Sequence, residues 1–99
     1  MMSKREQLEA EYRGRLAQYL ECDPADIFLY WKGRVALYAI LKAMGIGAGD
    51  EVILQAYTCV VVANAIIYLG ATPVYVDIDP ATYNLNIDLL EDKITDRTK

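Results

Sequence analysis

Apolar residues recur near the start of the chain at Leu8, Tyr12, Leu16, Tyr19 and Leu20, three or four apart among charged neighbours. That spacing predicts an amphipathic helix over residues 3–21, with Ser3 placed to cap it. Asp23-Pro24 should end it, because a proline biases the residue before it away from helical angles. The pattern then tightens into Ile27-Phe28-Leu29-Tyr30, a short run of strand formers. After Trp31-Lys32-Gly33 it reverts to helical spacing at Val35, Ala36, Ala39, Ile40 and Ala43. Strand, glycine turn and helix are expected there, closed by Gly45, Gly47 and Gly49, which supply left-handed angles.

Glu51-Val52-Ile53-Leu54 predicts a second buried strand. Thr58, a good cap by its hydroxyl, opens the apolar stretch that runs from Cys59 to Gly70. Val60 to Val62 favour a strand locally, but the length of the stretch and its closing glycine favour a helix. Pro73 to Asp77 reads as a third strand, Asp79-Pro80 as a turn, and Asn86 or Asp88 as the cap of a short helix through Leu89, Leu90 and Ile94. The order α, β-α-β-α-β, α implies right-handed crossovers and a parallel sheet with helices on its faces, a doubly wound α/β layout. Three parallel strands leave two open edges, so the expectation is a fragment of a larger domain, stopping where the next strand would start.

Composition narrows the function. Hydrophobic residues are 55% of the 99 residues, enough for a core, although a domain near this size hides only about 60–70% of its unfolded surface. Stability without a partner is therefore expected to be marginal. Fourteen acidic against ten basic residues give a net charge of −4. The basic ones form no stripe, which argues against nucleic acid and for a small-molecule or protein partner. The chain has no His, so Ser-His and Cys-His nucleophiles, a His base and most zinc sites are excluded. Cys22 and Cys59 lack CxxC spacing and are expected as reduced thiols in a cytoplasmic protein. No signal peptide is visible, and the apolar stretch after Thr58 is interrupted by Asn64 and too short to span a bilayer.

Ligands of an open parallel sheet bind beyond the carboxyl ends of its strands. Three loops qualify: Trp31-Lys32-Gly33-Arg34, Gln55-Ala56-Tyr57-Thr58-Cys59, and Asp77-Ile78-Asp79-Pro80. In the first, Gly33 permits close backbone approach, helix-start N–H groups point outward, and Lys32 and Arg34 add positive charge, a suitable place for a phosphate. Spacing alone favours a tight turn with two solvated cations over a phosphate site, since neither GxGxxG nor GxxxxGK[ST] is present. In the second, Tyr57 reads as packing and Cys59 as a small buried hydrophobe unless a ligand is there. In the third, Asp77 and Asp79 would share a side for a metal only if the strand ran through Asp79, and Pro80 favours a turn.

From Gly33 to Lys99 the chain closely resembles the DegT/DnrJ/EryC1/StrS family, sugar aminotransferases of fold type I that depend on pyridoxal phosphate (PLP). The resemblance rests on GIGAGDEVI, AYTCVVVANAI, LGATPVYVDID and TYNLNIDLLEDKIT, all in the family's order and spacing. It implies that residues 23–99 are the incomplete N-terminal part of the family's large domain, preceded by a helix in residues 1–22. The family's phosphate-binding Ser-Gly-Thr turn looks like Lys32, Gly33 and Arg34 here, with both hydroxyl positions replaced by cations. The aromatic residue that stacks on the cofactor ring looks like Cys59, and Tyr57 is the neighbouring ring available to replace it. The family's Schiff-base Lys, and the Asp that pairs with the pyridine nitrogen, map onto nothing before Lys99. Lys32, Lys42, Lys93 and Lys99 stand outside that context, so no catalytic residue is assigned.

By resemblance, the whole enzyme would move an amino group from a donor such as glutamate to a nucleotide-linked keto sugar. It would work as a homodimer with shared active sites, without nucleic acid or membrane. A sister branch of the family dehydrates its substrate without the Schiff-base Lys, and nothing here separates the two. The alternatives are a non-catalytic α/β module that binds a nucleotide or protein, and a chain that does not fold by itself.

Overall fold

The computed structural model describes all residues from Met1 to Lys99, in two compact units, Met1–Trp31 and Lys32–Lys99. In the first, helix α1 spans Lys4–Leu20 and begins in a reciprocal cap: the Glu6 N–H donates to Ser3 Oγ at 3.3 Å, and the Ser3 N–H donates to Glu6 Oε2 at 2.6 Å. Arg5 with Glu9 and Arg15 with Glu11 add exposed i,i+4 ion pairs at 2.8 and 2.6 Å, worth a few tenths of a kcal/mol each. Glu21, in left-handed conformation, ends the helix, and one 3-10 turn follows over Pro24–Asp26. Ile27 to Tyr30 form no strand. Strand propensity there has no neighbouring strand to hydrogen-bond with, and the sole sheet of the molecule is built elsewhere.

The second unit runs α2 (Gly33–Ala43), β1 (Glu51–Gln55), α3 (Val60–Ile67) and β2 (Thr72–Val76). The strands pair in parallel from Glu51↔Thr72 to Gln55↔Val76, as a β-α-β unit requires. Gly45, at φ 79°, closes α2: its N–H donates to Lys42 O at 3.0 Å and that of Ile46 to Leu41 O at 3.2 Å. Leu41 and Ile46 thereby enter one core with Leu54, Ala63, Ile66 and Ala71. Ala63 and Ile66 are buried three residues apart, the helical period that overrides the local strand preference of the valines.

Beyond β2, the expected helix is replaced by two 3-10 turns, Ile87–Leu89 and Glu91–Lys93, with Asn86 accepting from the Asp88 N–H at 3.0 Å. The chain then returns to β1. Thr98 forms a parallel bridge with Glu51 on the edge that β2 does not use; the Glu51 N–H donates to Arg97 O at 2.9 Å and the Lys99 N–H to Glu51 O at 3.0 Å. The expected three strands are therefore two, flanked by this bridge. With parallel pairing on both edges of β1, the chain keeps the doubly wound α/β character predicted for it.

Candidate functional site

In the second unit, α3 carries the chain from the carboxyl end of β1 back to the start of β2, so its N-terminus opens at the carboxyl edge of the sheet. Arg34, from the first turn of α2, and Val61, from the first turn of α3, line one cavity of about 370 Å³, whose walls also include Val35, Tyr38, Ala65 and Tyr68. A Cβ placed on Gly47, just past the end of α2, would lie 3.7 Å from Leu69 O, just past the end of α3, so the two helices finish, and hence begin, at the same end of the unit.

The start of α2 leaves backbone donors unbonded beside two cations. Lys32, the N-cap, is extended at φ −147° and ψ 143° and makes no side-chain capping bond. The N–H groups of Val35 and Ala36 donate to Lys32 O at 3.1 and 3.2 Å, whereas those of Gly33 and Arg34 make no hydrogen bond within the chain. Lys32, Gly33 and Arg34 are exposed, and neither cation is in an ion pair. A Cβ built on Gly33 would meet no atom within 4 Å, so nothing in the chain itself requires glycine there. Free N–H donors, two cations and open space are the donor set that a phosphate dianion takes.

The second loop differs from expectation. Cys59, not Thr58, is the N-cap of α3, and it makes no capping bond through its side chain. Cys59 is exposed rather than buried, because the buried face of α3 begins only at Ala63. Tyr57 is 69% exposed; its carbonyl accepts from Gln55 Nε2 at 2.8 Å. Its ring meets that of Tyr83, centroids 6.2 Å apart and tilted by 38°. Sequence reasoning missed this contact: twenty-six positions separate the two rings, and the TYNLNIDLLEDKIT segment that holds Tyr83 does not reveal the fold-back that joins them.

In the third loop β2 ends at Val76, so Asp77 and Asp79 belong to a turn. Asp77 Oδ1 accepts from the Ile78 N–H and Asp79 Oδ1 from the Ala81 N–H, each at 2.8 Å. These carboxylates shape the backbone, and no group of three potential metal ligands occurs in the chain. No helix is long and apolar enough to cross a membrane.

The parallel α/β unit is a partial fold type I domain of the class found in PLP-dependent aminotransferases. Residues 4–99 match the DegT/DnrJ/EryC1/StrS aminotransferase family, and the chain belongs to it. It is 55% identical over 67 residues to the UDP-2-acetamido-2-deoxy-3-oxo-D-glucuronate aminotransferase of Pseudomonas aeruginosa, covering 68% of this chain and 19% of that protein. Among solved structures, the aminotransferase TlmJ of Streptoalloteichus hindustanus superposes with a TM-score of 0.85 at 33% identity, over 92% of this chain and 25% of TlmJ. NtdA of Bacillus subtilis, with bound cofactor PMP, gives a TM-score of 0.76 at 33% identity, over 92% of this chain and 21% of NtdA. The chain spans about a fifth of the length of the curated relatives it matches.

Proposed function

We propose that this chain supplies the phosphate-binding end and one face of the cofactor pocket in a PLP-dependent aminotransferase. The whole enzyme would transfer an amino group from an amino acid such as glutamate to a nucleotide-linked keto sugar, as a cytoplasmic homodimer. The observation that carries the reading is the start of α2, where the unbonded N–H groups of Gly33 and Arg34 lie between two unpaired cations in a chain of this family. Lys32, Gly33 and Arg34 would hold the cofactor phosphate. Cys59 carries no ring to lay against the pyridine, and we assign that contact to Tyr57, with Cys59 beside it. When bound, PLP supplies an aldehyde that takes the amino group and a ring that withdraws electrons from the reacting carbon. The residues of this chain bind and orient it; none is assigned proton transfer.

Pyridoxamine phosphate (PMP) is the suitable probe, because it has no aldehyde to react with surface lysines. Binding of PMP and of pyridoxamine is measured by equilibrium dialysis. The phosphate form is expected to bind roughly tenfold or more tightly, as charge-assisted hydrogen bonds predict, and inorganic phosphate should compete with it. Equal affinity for the two forms would remove the phosphate site. Absence of binding by either would favour a non-catalytic module.

A further inference from the structure

Tyr83 sits at φ 61°, a left-handed conformation uncommon for a bulky residue and easier for glycine or asparagine. The turn imposes it. The N–H groups of Tyr83 and Thr82 donate to Asp79 O at 2.8 and 3.2 Å, and the Asp79 N–H donates to Asn84 O at 2.8 Å. Ile78 and Leu85 close the loop as an antiparallel bridge. The ring gains little from burial, being 64% exposed, and the ring it meets is that of Tyr57.

Tyr57 has a fixed backbone and a free side chain. Its loop is held by the Gln55 side chain at the Tyr57 carbonyl and by the Ala56 N–H, which donates to Val76 O at 2.8 Å. With most of its surface in solvent, its ring would sample several rotamers unless a neighbour selected one. We infer that Tyr83 is a positioning residue: its ring, held out by a strained turn, fixes the rotamer of Tyr57 so that Tyr57 presents a ready face to the planar aromatic ring of the ligand. This inference rests on the assignment of Tyr57 to the cofactor ring made above. A ring already restrained loses less freedom on binding, so the contact gains affinity without Tyr83 touching the ligand.

The experiment measures PMP affinity and thermal midpoint for the chain and for Tyr57→Ala, Tyr83→Gly, Tyr83→Asn, Tyr83→Phe and the double variant Tyr57→Ala/Tyr83→Gly. Tyr83→Gly and Tyr83→Asn both suit the left-handed backbone and should fold with an unchanged or raised midpoint. Each should weaken PMP binding roughly three- to tenfold, the range of an aromatic pair, and Tyr83→Phe should restore it. The double variant should bind no more weakly than Tyr57→Ala alone. Unchanged affinity in Tyr83→Gly and Tyr83→Asn, while Tyr57→Ala loses binding, overturns the positioning role. So does a double variant in which the two losses add. Failure of the unsubstituted chain to bind PMP is a separate result: it overturns the functional reading itself, and the role of Tyr83 with it.

Discussion

Gly33 separates what the fold needs from what a ligand needs. No atom of the chain approaches the place of its missing Cβ, and its φ lies outside the left-handed region. Gly33→Ala should therefore fold as well as the natural chain, or be stabilised by about 0.4–1 kcal/mol through a less flexible unfolded state. The added methyl would stand where a phosphate must reach the free N–H groups, so PMP affinity should fall while the thermal midpoint holds or rises. A paired measurement of denaturation and PMP binding decides it: unchanged binding would mean that the glycine serves neither fold nor cofactor. The turn at Gly33 with its flanking cations, and the helix that starts there, were legible in the sequence because a helix start is set locally. The partner of Tyr57 was not, since the contact depends on how the Asp79 turn folds back.

At the scale of elements, periodicity located α1, α2, β1, α3 and β2 to within a residue or two, because each is set by its own pattern of buried positions. It failed where a neighbour decides. Ile27 to Tyr30 have strand-forming side chains and no strand to pair with, and the segment after Asn86 has a cap but closes i to i+3 bonds in two short turns. The cap of α1 was legible, and it has a pH consequence. The Ser3 backbone N–H, and after it the Ser3 hydroxyl, hold the Glu6 carboxyl below the usual carboxylate range. A carboxylate pKa lowered by folding stabilises the folded form fully above its unfolded value. That contribution is lost as the pH falls through the lowered value, so the first turn of α1 should fray in acid. In an NMR titration, Ser3→Ala should raise the Glu6 pKa only part of the way to its ordinary value, because the larger cause is the amide, which alanine keeps. Full return to the ordinary value would transfer the effect to the hydroxyl.

Across the whole second unit, one carboxylate ties the end of the chain to the sheet. Glu51, the first residue of β1, is 7% exposed and accepts from Arg97 Nη2 at 2.6 Å and Thr95 Oγ1 at 2.7 Å. Its main chain meanwhile bonds Arg97 and Lys99. The Arg97 side chain is 65% exposed, so much of the ion pair's Coulomb attraction is screened by solvent. What matters is the asymmetry of removal. Glu51→Gln keeps the shape and an acceptor oxygen without burying a charge, and should cost about 1 kcal/mol. Arg97→Ala leaves a nearly buried carboxylate with Thr95 as its remaining donor, and should cost about 1–3 kcal/mol. The order, Arg97→Ala worse than Glu51→Gln, is checked by denaturant unfolding. Amide exchange then shows how far the damage spreads. In Arg97→Ala the Lys99 and Glu51 amides, which bond across the bridge, should lose protection. The Thr72 amide, on Asp50 O, and the Ala56 amide, on Val76 O, should keep theirs. Equal loss at all four would show that the β1–β2 pair does not stand without the bridge, so that pairing on both edges of β1 is a condition of the fold and not an addition to it.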